Sequence, residues 1–172
     1  AEQAANDLRI TWKSWPGLPD VTNLENALGN NPATPRRLVE EGNVDEALRD
    51  ADQNMARTYI WPYQMHASIG PSCAVAEFKT DPTDPFALTV WAGTQNPHVL
   101  RADLARLTAL QDTAIEIVRM EASGCYGRNG ADDVAADAVL LARAVGAPVR
   151  VQLTREQENL WEPKGSAQWM DV

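Results

Sequence analysis

Between Leu88 and Leu153 the apolar residues change their spacing repeatedly, and each change limits what that stretch can become. Leu88 and Val90 alternate with Thr89 and Trp91, the period of a half-buried strand. Asn96-Pro97 follows, an N-cap with proline at the first helical position, and Leu100, Leu104 and Leu107 then recur on one helical face. Residues 114–121 read as a strand. Val134, Ala138, Leu141 and Val145 mark a helix over 131–145, stopped by Gly146-Ala147-Pro148. Val149, Val151 and Leu153 alternate with Arg150, Gln152 and Thr154 in a further strand. This β-α-β-α-β order favours parallel pairings joined by right-handed crossovers. Just upstream, residues 73–79 and 87–92 flank Asp81-Pro82-Thr83-Asp84-Pro85 and predict a hairpin with a longer loop. Together the pattern predicts an α+β fold, a two-layer α–β sandwich on a mixed sheet.

The first third is less regular. Residues 1–12 read as the end of a helix running into a short strand, Leu8-Arg9-Ile10-Thr11-Trp12. A helix that begins at the first residue without a capping signal is expected of a piece cut from longer polypeptide. Residues 13–37 carry Pro16, Gly17, Pro19, Gly29, Pro32 and Pro35 and read as a long loop. A helix is predicted over 43–55, with Asn43 as N-cap and Glu46 three residues on, as in a capping box. Val44, Ala47, Leu48 and Ala51 form its apolar stripe. A strand over 57–61 ends at Pro62, and residues 155–161 predict one more helix. The boundary is placed at 56/57: an N-terminal segment over 1–56, holding the end of an upstream domain, a loop and a helix, then an α–β domain over 57–172.

Composition removes several chemistries. The 172 residues include two cysteines and two histidines, with no Cys-x-x-Cys pair, so neither a zinc module nor a typical iron–sulfur cluster can be ligated by this chain alone. A single Cys73–Cys125 bridge stays open. Fifteen basic against twenty-four acidic residues, a formal net charge of −9, argue against nucleic acid and anionic membrane surfaces as partners. No apolar run approaches the roughly 20 residues of a transmembrane segment.

The segment with most chemical promise is Glu121-Ala122-Ser123-Gly124-Cys125-Tyr126-Gly127-Arg128-Asn129-Gly130, between a predicted strand and a predicted helix. Its G-x-x-G-x-x-G spacing is neither the dinucleotide fingerprint nor a phosphate-binding P-loop. Glycines there let backbone approach a ligand, and free N–H groups beside a helix start attract anions. Asp132 and Asp133 would repel a phosphate placed directly at that helix start. A plain tight turn is the commoner reason for such a pattern, and both readings stand. Gln95, in Trp91-Ala92-Gly93-Thr94-Gln95-Asn96, falls at a strand's carboxyl end, where α/β proteins gather ligand contacts, or else satisfies local backbone. His66 reads as a buried, hydrogen-bonded structural histidine, with catalysis the lesser alternative, and His98 as a surface residue. Trp12, Trp15, Trp61, Trp91, Trp161 and Trp169 read as core or interface anchors, and Cys125 as an inert buried thiol, with a reactive thiolate near a helix start as the lesser alternative.

Taken in order, His66-Ala67-Ser68-Ile69-Gly70-Pro71-Ser72-Cys73-Ala74, Trp91-Ala92-Gly93-Thr94-Gln95, Ser123-Gly124-Cys125-Tyr126-Gly127 and Pro148-Val149-Arg150-Val151-Gln152-Leu153-Thr154-Arg155-Glu156 resemble the molybdopterin-binding large subunits of the xanthine dehydrogenase/aldehyde oxidase family. The resemblance runs over most of residues 1–165. It implies part of a molybdenum hydroxylase, which adds water-derived oxygen to an electron-poor carbon of an N-heteroaromatic ring or to an aldehyde. Residues 57–172 would then be part of the molybdopterin-binding domain. It implies cofactor contacts from Gln95 and from the loop residues Gly124, Cys125, Tyr126 and Gly127. The family loop is usually Gly-Gly-Gly-Phe-Gly, so Ser123 and Cys125 each add a Cβ that narrows backbone approach. An acidic substrate contact of xanthine dehydrogenases is replaced here by Gly130, which argues against a purine substrate.

The family's catalytic base lies in Gly-Glu-Pro, and that triplet does not occur in these 172 residues; the one Glu-Pro is Glu162-Pro163, preceded by Trp161. The expectation is therefore an internal fragment with no catalytic residue and no metal ligand of its own. The parent would hold molybdopterin, in a dinucleotide form, while the isolated chain would bind none. The resemblance also implies the rest of the large subunit, a small iron–sulfur subunit, a cytochrome and a small-molecule substrate as partners. A cytoplasmic and a periplasmic location in a bacterium both stay open. Two rival readings are a freestanding domain binding a small anion and a non-catalytic interaction module.

Overall fold

The structure, a computed structural model, describes residue 3, residues 7–14 and residues 20–172. It divides into two compact units, Ala1–Pro62 with Ala167–Val172, and Tyr63–Ser166.

In the first unit, Asn43 caps a helix as its sequence predicts, accepting the Glu46 N–H at 3.1 Å. That helix, Val44–Asp50, is shorter than the predicted 43–55. An earlier helix, Leu24–Gly29, interrupts the stretch that reads as loop; Asn23 caps it by accepting the Asn26 N–H at 3.0 Å. These are α1 (Leu24–Gly29) and α2 (Val44–Asp50). The strand β1, Thr58–Trp61, pairs antiparallel with a strand the sequence pattern does not show, Gln168–Asp171 at the chain's end. Thr58 reinforces the pair by donating its hydroxyl to Asp171 Oδ1 at 2.7 Å. Residues 8–12 form no strand. Their predicted alternation has no partner ladder, and a lone extended segment is not a strand. The preceding helix falls largely outside the described residues.

The second unit carries the predicted α+β sandwich. Its strands are β2 (Cys73–Phe78), β3 (Leu88–Ala92), β4 (Ile115–Arg119) and β5 (Val149–Gln152), in the order β4-β3-β2-β5; Gln168–Asp171 is β6. The predicted hairpin is present: β2 and β3 are antiparallel, with Val75 opposite Trp91. The pairing β3–β4 is parallel, with Ala92 opposite Arg119, and the helix α3, Pro97–Thr108, forms its crossover. The last strand departs from the expectation of parallel pairing. β5 lies antiparallel against β2 at the opposite edge from β4, so the sheet is mixed. The long helix α4, Ala131–Val145, spans the distance between those edges and packs on β2, β3 and β5. A final helix, α5, Arg155–Trp161, opens with a capping box between Thr154 and Gln157.

The core lies between the helices and one sheet face. Ala74, Ala76, Leu88, Val90 and Ala92 from the sheet meet Leu100, Leu104, Val134, Ala135, Ala138, Val139 and Ala142 from α3 and α4. Alanines on both surfaces let α4 approach the strands closely. The predicted helical periods hold, and their faces hold in part: Leu100, Leu104, Val134 and Ala138 are buried as predicted. Leu107, Leu141 and Val145 are exposed, and the buried stripe runs instead through Thr108 on α3 and the small residues of α4. Thr108 tolerates burial because its hydroxyl donates to Leu104 O at 2.7 Å. Of the core-or-interface reading of the tryptophans, the core half is not met: Trp12, Trp61, Trp161 and Trp169 are exposed and Trp91 is half-buried; Trp15 lies outside the described residues. Among the described residues no helix is long and apolar enough to cross a membrane.

The face assignment is open to a direct check. Leu104→Ala is expected to cost about 2–5 kcal/mol, whereas Leu107→Ala, at a side chain 43% exposed, should stay within about 0.5 kcal/mol of wild type. Urea unfolding with an unchanged m-value reads both.

Candidate functional site

Because β3 and β4 run parallel, the loops leaving their carboxyl ends emerge side by side. The first is Gly93–Asn96 and the second runs from Met120 to Gly130. Two hollows open there. One, about 320 Å³, is lined by Gly93, Thr94, Gln95, Arg119, Met120, Glu121, Ala122, Gly124, Cys125 and Asn129. Its neighbour, about 380 Å³, shares Gly93, Gly124 and Asn129 and extends along Ser68, Gly70, Pro71, Ser72, Val75 and Trp91. Close approach of the two loops depends on Gly93, since a Cβ there would stand 2.7 Å from the Ala122 Cβ.

Gln95 reaches across to the second loop with both ends of its carboxamide. Its Nε2 donates to Gly127 O at 2.9 Å, and its Oε1 accepts the Asn129 N–H at 3.3 Å. Half of the two-way reading is thus met as local backbone satisfaction. The other Nε2 proton has no acceptor among the described residues. Asn129, which sequence reasoning passes over, is buried and completes the junction. Its Nδ2 donates to Gly93 O at 3.3 Å and its Oδ1 accepts the Ala131 N–H at 3.2 Å, joining both loops to the start of α4.

The glycine loop is shaped by positive dihedrals. Gly124 has φ +101°, Tyr126 +43° and Gly127 +132°. A Cβ on Gly127 would lie 2.5 Å from His66 Cδ2, and one on Gly124 would lie 2.9 Å from the Tyr126 ring. Gly127 is therefore held beneath the His66 imidazole, while Tyr126 folds back over Gly124. Among the described residues, the main-chain N–H groups of Gly124, Cys125, Tyr126 and Gly127 meet no protein acceptor. Four free donors in succession suit an acceptor-rich ligand. The structure brings Gln95, Gly124 and Cys125 to one hollow; Tyr126 and Gly127 belong to the same loop but do not line it. Cys73 and Cys125 are both free thiols.

The opposite wall is the segment 66–72. Ser123 holds its middle: Ser123 Oγ accepts the Gly70 N–H at 2.9 Å, and Ser123 O accepts the Ile69 N–H at 3.0 Å. His66 is hydrogen-bonded as its structural reading requires. Its Nδ1 lies 2.9 Å from Pro163 O and 3.4 Å from Glu162 Oε1, both acceptors, so this nitrogen carries the proton. His98 is exposed at the start of α3. The least anticipated groups are Glu158 and Glu162, 0% and 3% exposed, which accept hydrogen bonds from residues 66–72. A recognisable signal was present, because two acids four apart on a short capped helix share one face. Among the described residues no cluster of three or more His, Cys, Asp or Glu could hold a metal.

At the start of α4, burial pushes the Asp133 carboxyl above its ordinary 3.8, and Asp132 and Asp137 add to the shift. The backbone and Arg128 pull the other way without offsetting it.

A sequence model of the molybdopterin cofactor-binding domain matches residues 29–172, and the chain belongs to that family. It is 56% identical over its whole length to one of the subunits of nicotinate dehydrogenase from Pseudomonas putida, of which it spans 14%. It is 31% identical over 71% of its length to a probable xanthine dehydrogenase subunit from Bacillus subtilis, of which it spans 16%. The fold recurs in quinoline 2-oxidoreductase from Pseudomonas putida 86, with TM-score 0.67 and 19% identity over 92% of this chain and 21% of that one. It recurs also in aldehyde oxidoreductase from Desulfovibrio gigas, with TM-score 0.58 and 19% identity over 76% of this chain and 14% of that one.

Two substitutions test the geometry. Gly127→Ala is expected to destabilise by about 1–3 kcal/mol, and adding His66→Ala should recover the part due to the ring while leaving the dihedral strain. Asp133→Asn works in the other direction. A folded-state pKa above 3.8 means that the fold disfavours the charged form, so the Asn variant should be the more stable at neutral pH. Its advantage should shrink as pH falls through the raised value and vanish below 3.8, as followed by urea midpoints across pH.

Proposed function

We propose that this chain forms one wall of the molybdopterin site in the large subunit of a molybdenum hydroxylase. The observation that carries this is the run of four acceptor-free amides, Gly124 to Gly127, whose first two residues line a hollow together with Gln95. When bound, the cofactor supplies a molybdenum centre that transfers oxygen derived from water and takes up two electrons. The chain's own residues bind and orient it. The free amides of Gly124 and Cys125, with those of Tyr126 and Gly127 in the same loop, would hold it, and the spare Nε2 proton of Gln95 would add a side-chain donor. The contacts of Gln95 with Gly127 O and the Asn129 N–H keep that donor aligned with the loop. The cofactor would be a dinucleotide form of molybdopterin.

The substrate class we favour is an N-heteroaromatic ring of the nicotinate kind. Its support is the 56% identity to a nicotinate dehydrogenase polypeptide and the neutral Gly130. The catalytic base would come from other polypeptide, since no Gly-Glu-Pro occurs in these residues. Two cysteines cannot ligate a typical cluster, so electrons would leave through a small iron–sulfur subunit and then a cytochrome.

Metal and pterin analysis of the enzyme containing this segment tests the reading. Molybdenum and pterin should be found in equal amounts, and Gly124→Val should reduce cofactor retention by about tenfold or more. Unchanged retention would overturn the assignment of the loop. The 172 residues alone should show no turnover of an N-heterocycle; turnover with stoichiometric molybdenum would show that they hold the whole site.

A further inference from the structure

We infer that Glu158 is a positioning residue of this site: its buried carboxyl group ties the far end of the glycine loop to the segment before β2 and sets the width of the hollow between them. The inference rests on the cofactor reading only for what that hollow receives.

Four donors converge on Glu158. Its Oε1 accepts the Gly130 N–H at 3.2 Å and the Ser72 hydroxyl at 3.0 Å, with the Ser68 hydroxyl at 3.4 Å. Its Oε2 accepts the Ser72 N–H at 2.8 Å. Gly130 closes the glycine loop, whereas Ser68 and Ser72 belong to the opposite wall of the 380 Å³ cavity. The near end of the loop has its own tie, Ser123 to Gly70 and Ile69. Ser123 and Glu158 therefore bracket the four residues whose amides are free.

Glu158 does not act by itself. One turn before it, Arg155 donates to Ser68 O at 2.8 Å and to Ile69 O. One turn after it, Glu162 accepts the His66 N–H and, at 3.1 Å, the Ala67 N–H. The spacing of three and four places all three side chains on one face of the helix and just past its end. They grip residues 66–72 at successive points, but Glu158 is the member that also holds Gly130.

The donor count distinguishes the two acids. Both Glu158 oxygens face a main-chain N–H that cannot turn away, Gly130 at one and Ser72 at the other. A glutamine at 158 would oppose one of them with its own NH₂ in either orientation. At Glu162 the second oxygen receives only the longer Ala67 contact of 3.3 Å, so a glutamine can place its NH₂ there. An unmet buried donor is costly, whereas a weakened long contact is not.

Amide hydrogen exchange, measured by residue-resolved mass spectrometry on the assembled enzyme containing this segment after cofactor removal, tests the tie without any cofactor. In wild type, the Gly130 and Ser72 amides should exchange slowly; fast exchange at both would overturn the inference even if no variant folds. Glu158→Gln should speed both by about tenfold or more, with the core amides of Ala76 and Val139 unchanged. Glu162→Gln should leave Gly130 untouched. Equal effects of the two variants, or a uniform loss of protection across Ala76 and Val139, would make Glu158 a general stability residue and overturn the inference. In the assembled enzyme, Glu158→Gln should lower cofactor retention. Local loosening with full retention would refute the positioning role. If Gly124→Val also retained the cofactor, the cofactor reading would fail separately.

Discussion

Everything at the site depends on one pairing, the parallel ladder between β3 and β4. Its register sets Ala92 beside Arg119, so the two chains leave the sheet at the same end and in the same direction. An antiparallel partner would have sent the second loop to the other end. Side by side, the loops can share hydrogen bonds: Gln95 to Gly127, and Asn129 to Gly93. The ladder also explains the small residues at the junction, since Gly93 and Ala122 meet where a larger pair could not fit. The crossover helix α3 makes the parallel pairing possible, and the apolar contacts of α3 and α4 with the sheet supply the driving force.

The polar part of the site is organised differently. Segment 66–72 has little apolar surface to bury, and it is placed by hydrogen bonds from Ser123, Arg155, Glu158 and Glu162. Acceptors on a short helix satisfy backbone donors that a loop cannot pair within itself. That division of labour separates what is held from what is left open. The amides of His66, Ala67, Ser72 and Gly130 are taken up by carboxylate oxygens, and those of Gly124 to Gly127 stay available.

Local patterns are a good guide where structure is local. Asn43 and Asn96 cap helices, helix 131–145 has the predicted bounds, and the hairpin across residues 79–87 forms. Periodicity identifies a helix without saying which neighbour it meets. Leu107, Leu141 and Val145 keep the right spacing yet lie outside the buried stripe, because α4 approaches the sheet through alanines that a hydrophobicity pattern underweights. The antiparallel β2–β5 pairing and the β1–β6 ribbon join residues far apart in the chain, which no local spacing encodes. The same holds for the site. Gln95 and the glycine loop stand out because their residue types are unusual between a strand and a helix. Glu158, Glu162 and Asn129 are ordinary residues whose importance comes from partners brought in by topology.

The helix that grips residues 66–72 comes late in the chain, and the His66–Glu162 contact spans 96 positions. A ribosome adds about 5–20 residues per second, so a nascent chain would wait roughly 5–20 seconds between the emergence of His66 and that of Glu162. Until then segment 66–72 lacks the Arg155, Glu158 and Glu162 contacts that place it. Synthesis order therefore makes this wall of the cavity a late event, completed only after translation has passed α5.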